Sequence, residues 1–113
     1  SFIFNDVLAA VYKEWKVIKT NRFGMRQPRI IGVDAYNVYN SKRDSQNHRM
    51  VGNVFRAERP ISQIKSIEFD EADPLSFRIT FKNNDDVSRV HYKTETAYDC
   101  AEIVAKIQYV MRK

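Results

Sequence analysis

Cysteine is almost absent: Cys100 is the single one in the chain. No intramolecular disulfide can form, and no second thiolate is at hand for a metal cluster. That usage points to a reducing, cytosolic compartment, with Cys100 as a small core residue. Glycine is nearly as scarce. Gly24, Gly32 and Gly52 are too few and too scattered for a phosphate-cradling loop. The histidines are His48 and His91, and no His/Cys/Asp group has metal-ligand spacing. The acidic run Asp70, Glu71, Asp73 lacks the ligand ladder of a calcium loop and reads as a solvated turn. No apolar run reaches about 18 residues, so no membrane-spanning helix is predicted. No cleavable signal pattern is visible. No nucleophile, base and orienting group stand in a recognisable constellation, so neither an enzyme nor a cofactor is expected.

Charge is plentiful, at 29% of residues with a net +5. It is unevenly placed. Residues 1–52 hold nine Lys/Arg against four Asp/Glu, and residues 53–113 hold ten against ten. The whole excess lies between Lys13 and Arg49, which suggests a basic patch facing something anionic. The plainer reading is a solvated face.

At 113 residues the chain is expected to form one domain: a helical extension over 1–11, a barrel over 12–93 and a capping helix over 94–113. The last helix, Thr96 to Met111, carries Ala97, Cys100, Ala101, Val104, Ile107, Val110 and Met111 on one stripe. Asp99, Glu102, Lys106 and Arg112 are placed on its water face. A helix this amphipathic needs a sheet to cover. Ser1 to Val11 reads as a short helix whose apolar residues, Ile3, Phe4, Val7, Leu8 and Val11, are expected to pack on the barrel. Strands are predicted over Tyr12–Thr20, Arg29–Val33, Tyr36–Tyr39, Asn53–Arg59, Ile61–Phe69, a clean alternation around Phe77, Ile79 and Phe81, and Val87–Lys93. Asn40–Gly52 is polar throughout and reads as a long loop, and Asn83-Asn84-Asp85-Asp86 as a hairpin turn. Seven antiparallel strands followed by one helix can curl into a nearly closed barrel that the helix plugs. Ala97, Val104, Ile107 and Met111 are expected to bury against Trp15, Ile31, Phe77 and Ile79.

One set of residues suggests a site. Lys16, Lys19, Arg22, Arg26 and Arg29 lie on the first two strands or the loop between them. Residues about ten positions apart meet at the mouth of a hairpin. Convergent Lys and Arg can share the charge of a phosphomonoester, Arg offering a two-pronged donor. Phe23 and Met25 at the loop tip could enter the interfacial layer of a bilayer. Lys42 and Arg43, in the polar loop, are expected to act mainly through a screened field. A nucleic-acid partner is not expected, because these cations sit on a hairpin rather than a recognition helix.

The order of elements resembles the pleckstrin-homology superfold over nearly all of the chain after Val11. YKEWKVIK, a basic loop and RIIGVDAYNVYN are similar to the family's first three strands, PISQIKSIEF to its fifth, and ETAYDCAEIVAKIQYVM to its closing helix. These phrases leave the subfamily open. The resemblance implies that the first hairpin holds inositol phosphates, through a strand Lys, a loop, then a basic residue, one spacer and an Arg. Lys19 and Arg29 match the two ends. Arg26 and Arg29 are separated by two residues with Pro28 between, a departure that favours diffuse electrostatic binding. The function implied is a non-catalytic module that recruits a larger protein to an anionic, phosphoinositide-type surface on the cytosolic face of a membrane. The alternative is a protein-interaction or scaffold domain with little lipid affinity, using the groove beside the fifth strand or the N-terminal helix.

Overall fold

The computed structural model describes residues 3–42 and 56–113. Most of the predicted polar loop, with Arg43 and His48, and the start of the predicted fourth strand lie outside the described residues. The strands are β1 (Lys13–Thr20), β2 (Arg26–Val33), β3 (Asn37–Lys42), β4 (Arg56–Pro60), β5 (Ile64–Asp70), β6 (Asp73–Asn83) and β7 (Asp86–Thr94). They form one antiparallel sheet in the order β4-β3-β2-β1-β7-β6-β5. β4 and β5 are its edges, so the sheet is open along that line. Pro60 ends β4, where its missing N–H interrupts no central ladder.

The isoleucines at 61, 64 and 67 do not share one strand. Ile61–Gln63 is a 3-10 turn, and β5 begins at Ile64 with a register shift between Ile64 and Ser66. Ile61 is 4% exposed and donates its N–H to the Tyr36 carbonyl, so the turn is pinned beneath the β2–β3 connection. The β6–β7 hairpin turns at Asn84, whose φ of 57° suits the left-handed tolerance of asparagine. Gly32 is held by a close approach: a Cβ there would stand 2.3 Å from the Tyr12 hydroxyl.

Helix α2 (Ala97–Met111) starts at Thr96, whose hydroxyl accepts from the Asp99 N–H at 3.0 Å. It lies over β5, β6 and β7. Its buried stripe is Cys100, Ile103, Val104, Lys106 and Ile107. The expected stripe needs correcting. Ala97 is exposed, Met111 is half-buried, and Ile103 completes the spacing of three and four from Cys100. Phe77, Ile79, Ile31 and Val33 are fully buried beneath it. Each such side chain contributes roughly 1.5–3 kcal/mol by leaving water.

Two polar residues of α2 serve as joints. Glu102 Oε1 accepts from the Trp15 indole N–H at 2.9 Å and from Lys13 Nζ at 2.7 Å, tying β1 to the helix. Lys106, expected to face water, is 3% exposed. Its ammonium donates to the carbonyls of Leu8 at 2.7 Å and Ala9 at 3.4 Å, at the end of α1 (Asp6–Ala10). Burial holds its pKa below that of a free lysine, against the opposing pull of the Asp34 and Glu102 carboxylates. The N-terminal helix is therefore shorter than predicted and docks on α2. Its apolar residues do not pack on the sheet as expected: Val7 and Val11 are 72% and 54% exposed, and Ala9 is its buried residue.

Candidate anion-binding site

The pleat divides the five cations that the sequence groups together. Strand side chains alternate between faces, and directly paired residues share one. Lys19 follows Trp15 and Val17 on the inner face, and Arg29, paired with Val17, joins it there. Lys16, paired with Ile30, and Arg26, paired with Thr20, lie on the outer face. Arg22 is exposed in the connecting loop. Lys19 and Arg29 are thus brought together, while Lys16 and Arg26 are turned away from them.

The inner face adds a cation from a distant strand. Arg59 in β4 pairs with Val38, so its side chain projects inward. It reaches across the open sheet, its guanidinium 3.9 Å from the centroid of the Phe81 ring and its Nη1 donating to Ser88 Oγ at 2.6 Å. Burial lowers the Lys19 pKa, and Arg29 and then Arg59 lower it further. Tyr92, opposite Lys19 on β7, is 3% exposed, and burial drives its phenol pKa up against the pull of Arg59 and Arg29. Among the described residues no carboxylate forms an ion pair with Lys19, Arg29 or Arg59. Arg29 Nη1 donates to its neighbour's Pro28 carbonyl at 2.7 Å. A cluster of half-buried cations that no described carboxylate pairs with is an arrangement that an anion relieves. Lys42 is not part of a loop: it ends β3 directly across from Arg29.

The loop above is compact. Asn21 Oδ1 accepts from the N–H groups of Phe23 (2.9 Å) and Met25 (3.0 Å), and Gly24 turns with φ 79°. Phe23 and Met25 are 78% and 60% exposed, and the Arg22 guanidinium lies 4.9 Å from the Phe23 ring centroid.

Elsewhere some ionisable residues form structural pairs. Asp73 accepts from the Leu75 N–H, the Ser76 hydroxyl and Lys93, and these hold its carboxyl pKa below the usual value. His91 Nε2 and Arg78 stand 3.8 Å from Asp70. Among the described residues no group of three or more His, Cys, Asp or Glu could hold a metal ion. No described helix is long and apolar enough to cross a membrane.

An open antiparallel sheet of seven strands, closed at one end by the helix after the last strand, is the pleckstrin-homology architecture. The chain belongs to the pleckstrin-homology family of SAPK-interacting protein 1 (Sin1), whose family model matches residues 10–113. No curated protein matches it. Among solved structures, the N-terminal PH domain of human ARAP2 superposes with a TM-score of 0.67, at 11% identity, over 89% of this chain and 79% of that one. The Slm1 PH domain in complex with D-myo-inositol-4-phosphate gives 0.67 at 8% identity, over 87% and 92%. The DH/PH domains of p115-RhoGEF give 0.70 at 10% identity over 87% of this chain, which spans 30% of that larger fragment. At such identities the likeness is one of fold.

Proposed function

We propose that this chain is a non-catalytic module that carries the protein containing it to an anionic membrane surface. Lys19, Arg29 and Arg59 would hold a phosphomonoester on the inner face, and Arg22 and Phe23 would meet the lipid surface from the loop tip. The observation that carries this reading is the meeting of three half-buried cations with which, among the described residues, no carboxylate pairs. A soluble inositol phosphate in the related Slm1 fold supports the ligand class. Arg59, seated on Phe81 and Ser88, favours a shaped site over the diffuse binding that the hairpin spacing implies.

Sedimentation with vesicles tests it, comparing phosphatidylcholine alone with phosphatidylcholine carrying a phosphoinositide. Arg29→Ala and Arg59→Ala should each weaken binding about tenfold or more, the loss of a charge-assisted contact worth roughly 1.5–3 kcal/mol. Lys65→Ala removes the same unit of charge from an exposed position on β5 and should cost far less. Equal losses in all three variants would reduce the site to a diffuse field. Equal binding to neutral and anionic vesicles would remove the membrane reading. The exposed apolar row of Ile3, Val7 and Val11, with Tyr98 at 64% exposure, would then favour a protein-docking module.

A further inference from the structure

The five-residue helix α1 is attached mainly through polar groups, with a ring contact from the preceding Phe4 to Tyr109 beside them. Its five residues fall far short of the roughly 12–15 that an isolated helix needs. Of these, Ala9 alone is buried, while Val7 and Leu8 are 72% and 47% exposed. Apolar burial therefore does little to hold it. What holds it is a set of contacts to α2. The Lys106 ammonium serves the carbonyls of Leu8 and Ala9, which the helix end leaves without backbone partners. Asp6 accepts from the Tyr109 hydroxyl at 3.1 Å and pairs with Lys113. The Phe4 ring lies 6.2 Å from that of Tyr109 and 5.8 Å from the Lys106 ammonium. With α1 in place Lys106 is 3% exposed, and α1 walls one side of a groove of about 460 Å³ that faces Trp15, Tyr98 and Glu102.

We propose that α1 is a detachable strap, which leaves α2 as a unit while the sheet and α2 stay folded, and so turns the hidden Lys106 ammonium and the Trp15 side of the groove outward. Each polar anchor regains water on release, so its net hold is small. The Asp6 and Lys113 side chains are 78% and 46% exposed, and their attraction is screened. The Lys106 ammonium itself recovers hydration that the two carbonyls only partly replace. Local openings of this kind draw on segments with few buried apolar contacts. The family match begins at Ala10, the last residue of α1, so all of the strap but that residue lies before the matched region.

Amine labelling of the native protein with an acetyl N-hydroxysuccinimide ester, read by mass spectrometry, tests the strap. Hydrogen exchange at the Phe77 and Ile79 amides reports global opening alongside. Lys106 should label at least about tenfold faster than global opening allows. The Asn5→Gly/Asp6→Ala variant removes the side chain that accepts from the Leu8 N–H at 3.0 Å and the Asp6 anchor, leaving Lys106 in place. In it, Lys106 labelling should rise about fivefold or more, with the melting temperature and Ile79 exchange unchanged. Labelling of Lys106 only at the global rate, or a rise matched by Ile79 exchange, would overturn the proposal.

Discussion

At Lys19 burial and neighbouring charge meet, and the proposed anion site makes its titration a test. Its pKa in the fold is held below the free value of 10.5, because burial and then Arg29 and Arg59 disfavour the ammonium. An anion favours the ammonium, so binding raises that pKa and draws protons. Affinity should then fall as pH rises through the depressed value, earlier than an exposed lysine would titrate. Lys19→Arg keeps its charge across that range and should show no alkaline loss. Parallel loss in both proteins, measured by vesicle sedimentation across pH, would place Lys19 outside the site. Cys100 gives a second residue-scale expectation. It is fully buried, and burial, helped by Asp73, pushes its thiol up to about 11. Native protein at pH 8 should resist iodoacetamide until it unfolds; prompt alkylation would mean that α2 lifts from the sheet. Arg59 was not legible in the sequence as a member of the candidate site. It lies thirty positions beyond Arg29, and only the sheet order and its seat on Phe81 bring it to Lys19.

At the scale of the element, alternation already held the division of the hairpin. Trp15 and Val17 point inward, so Lys19 must, and Lys16 must not. That parity separates Lys16 and Arg26 from Lys19 and Arg29, although all four lie on one hairpin. The stripe of α2 was similarly within reach. Cys100, Ile103, Val104 and Ile107 follow the spacing of three, one and three that one helix face requires. The joint between β1 and α2 was not, because Trp15 and Glu102 are 87 positions apart. Glu102→Ala should leave the buried Trp15 N–H unpaired, at a cost of roughly 1–3 kcal/mol. The melting temperature should drop by about 4–8 °C per kcal/mol. Glu102→Gln keeps an acceptor and should recover most of the loss. An unchanged melting temperature in Glu102→Ala would mean that water replaces the carboxylate there.

For the whole molecule, the balance of charge bears on stability at low pH. The Leu75 N–H, the Ser76 hydroxyl and Lys93 hold the Asp73 carboxyl below its ordinary value of 3.8. A depressed carboxyl stabilises the fold in full above that ordinary value and ceases to as pH falls through the folded one. The melting temperature should therefore decline below about pH 4, and Asp73→Asn should flatten that limb, as thermal unfolding across pH can measure. A limb of equal steepness in the variant would assign the decline to other carboxylates. The sequence by itself determined the class of the fold. Period-two runs such as Phe77, Ile79 and Phe81, the Asn84 turn and one amphipathic helix after the last strand are local signals, readable without neighbours. Tertiary structure decided what those signals leave open. The pairing order set β4 and β5 as edges, brought Arg59 to Lys19, and buried Lys106 under α1. Such juxtapositions join residues tens of positions apart, and no local pattern of apolar and polar residues encodes them.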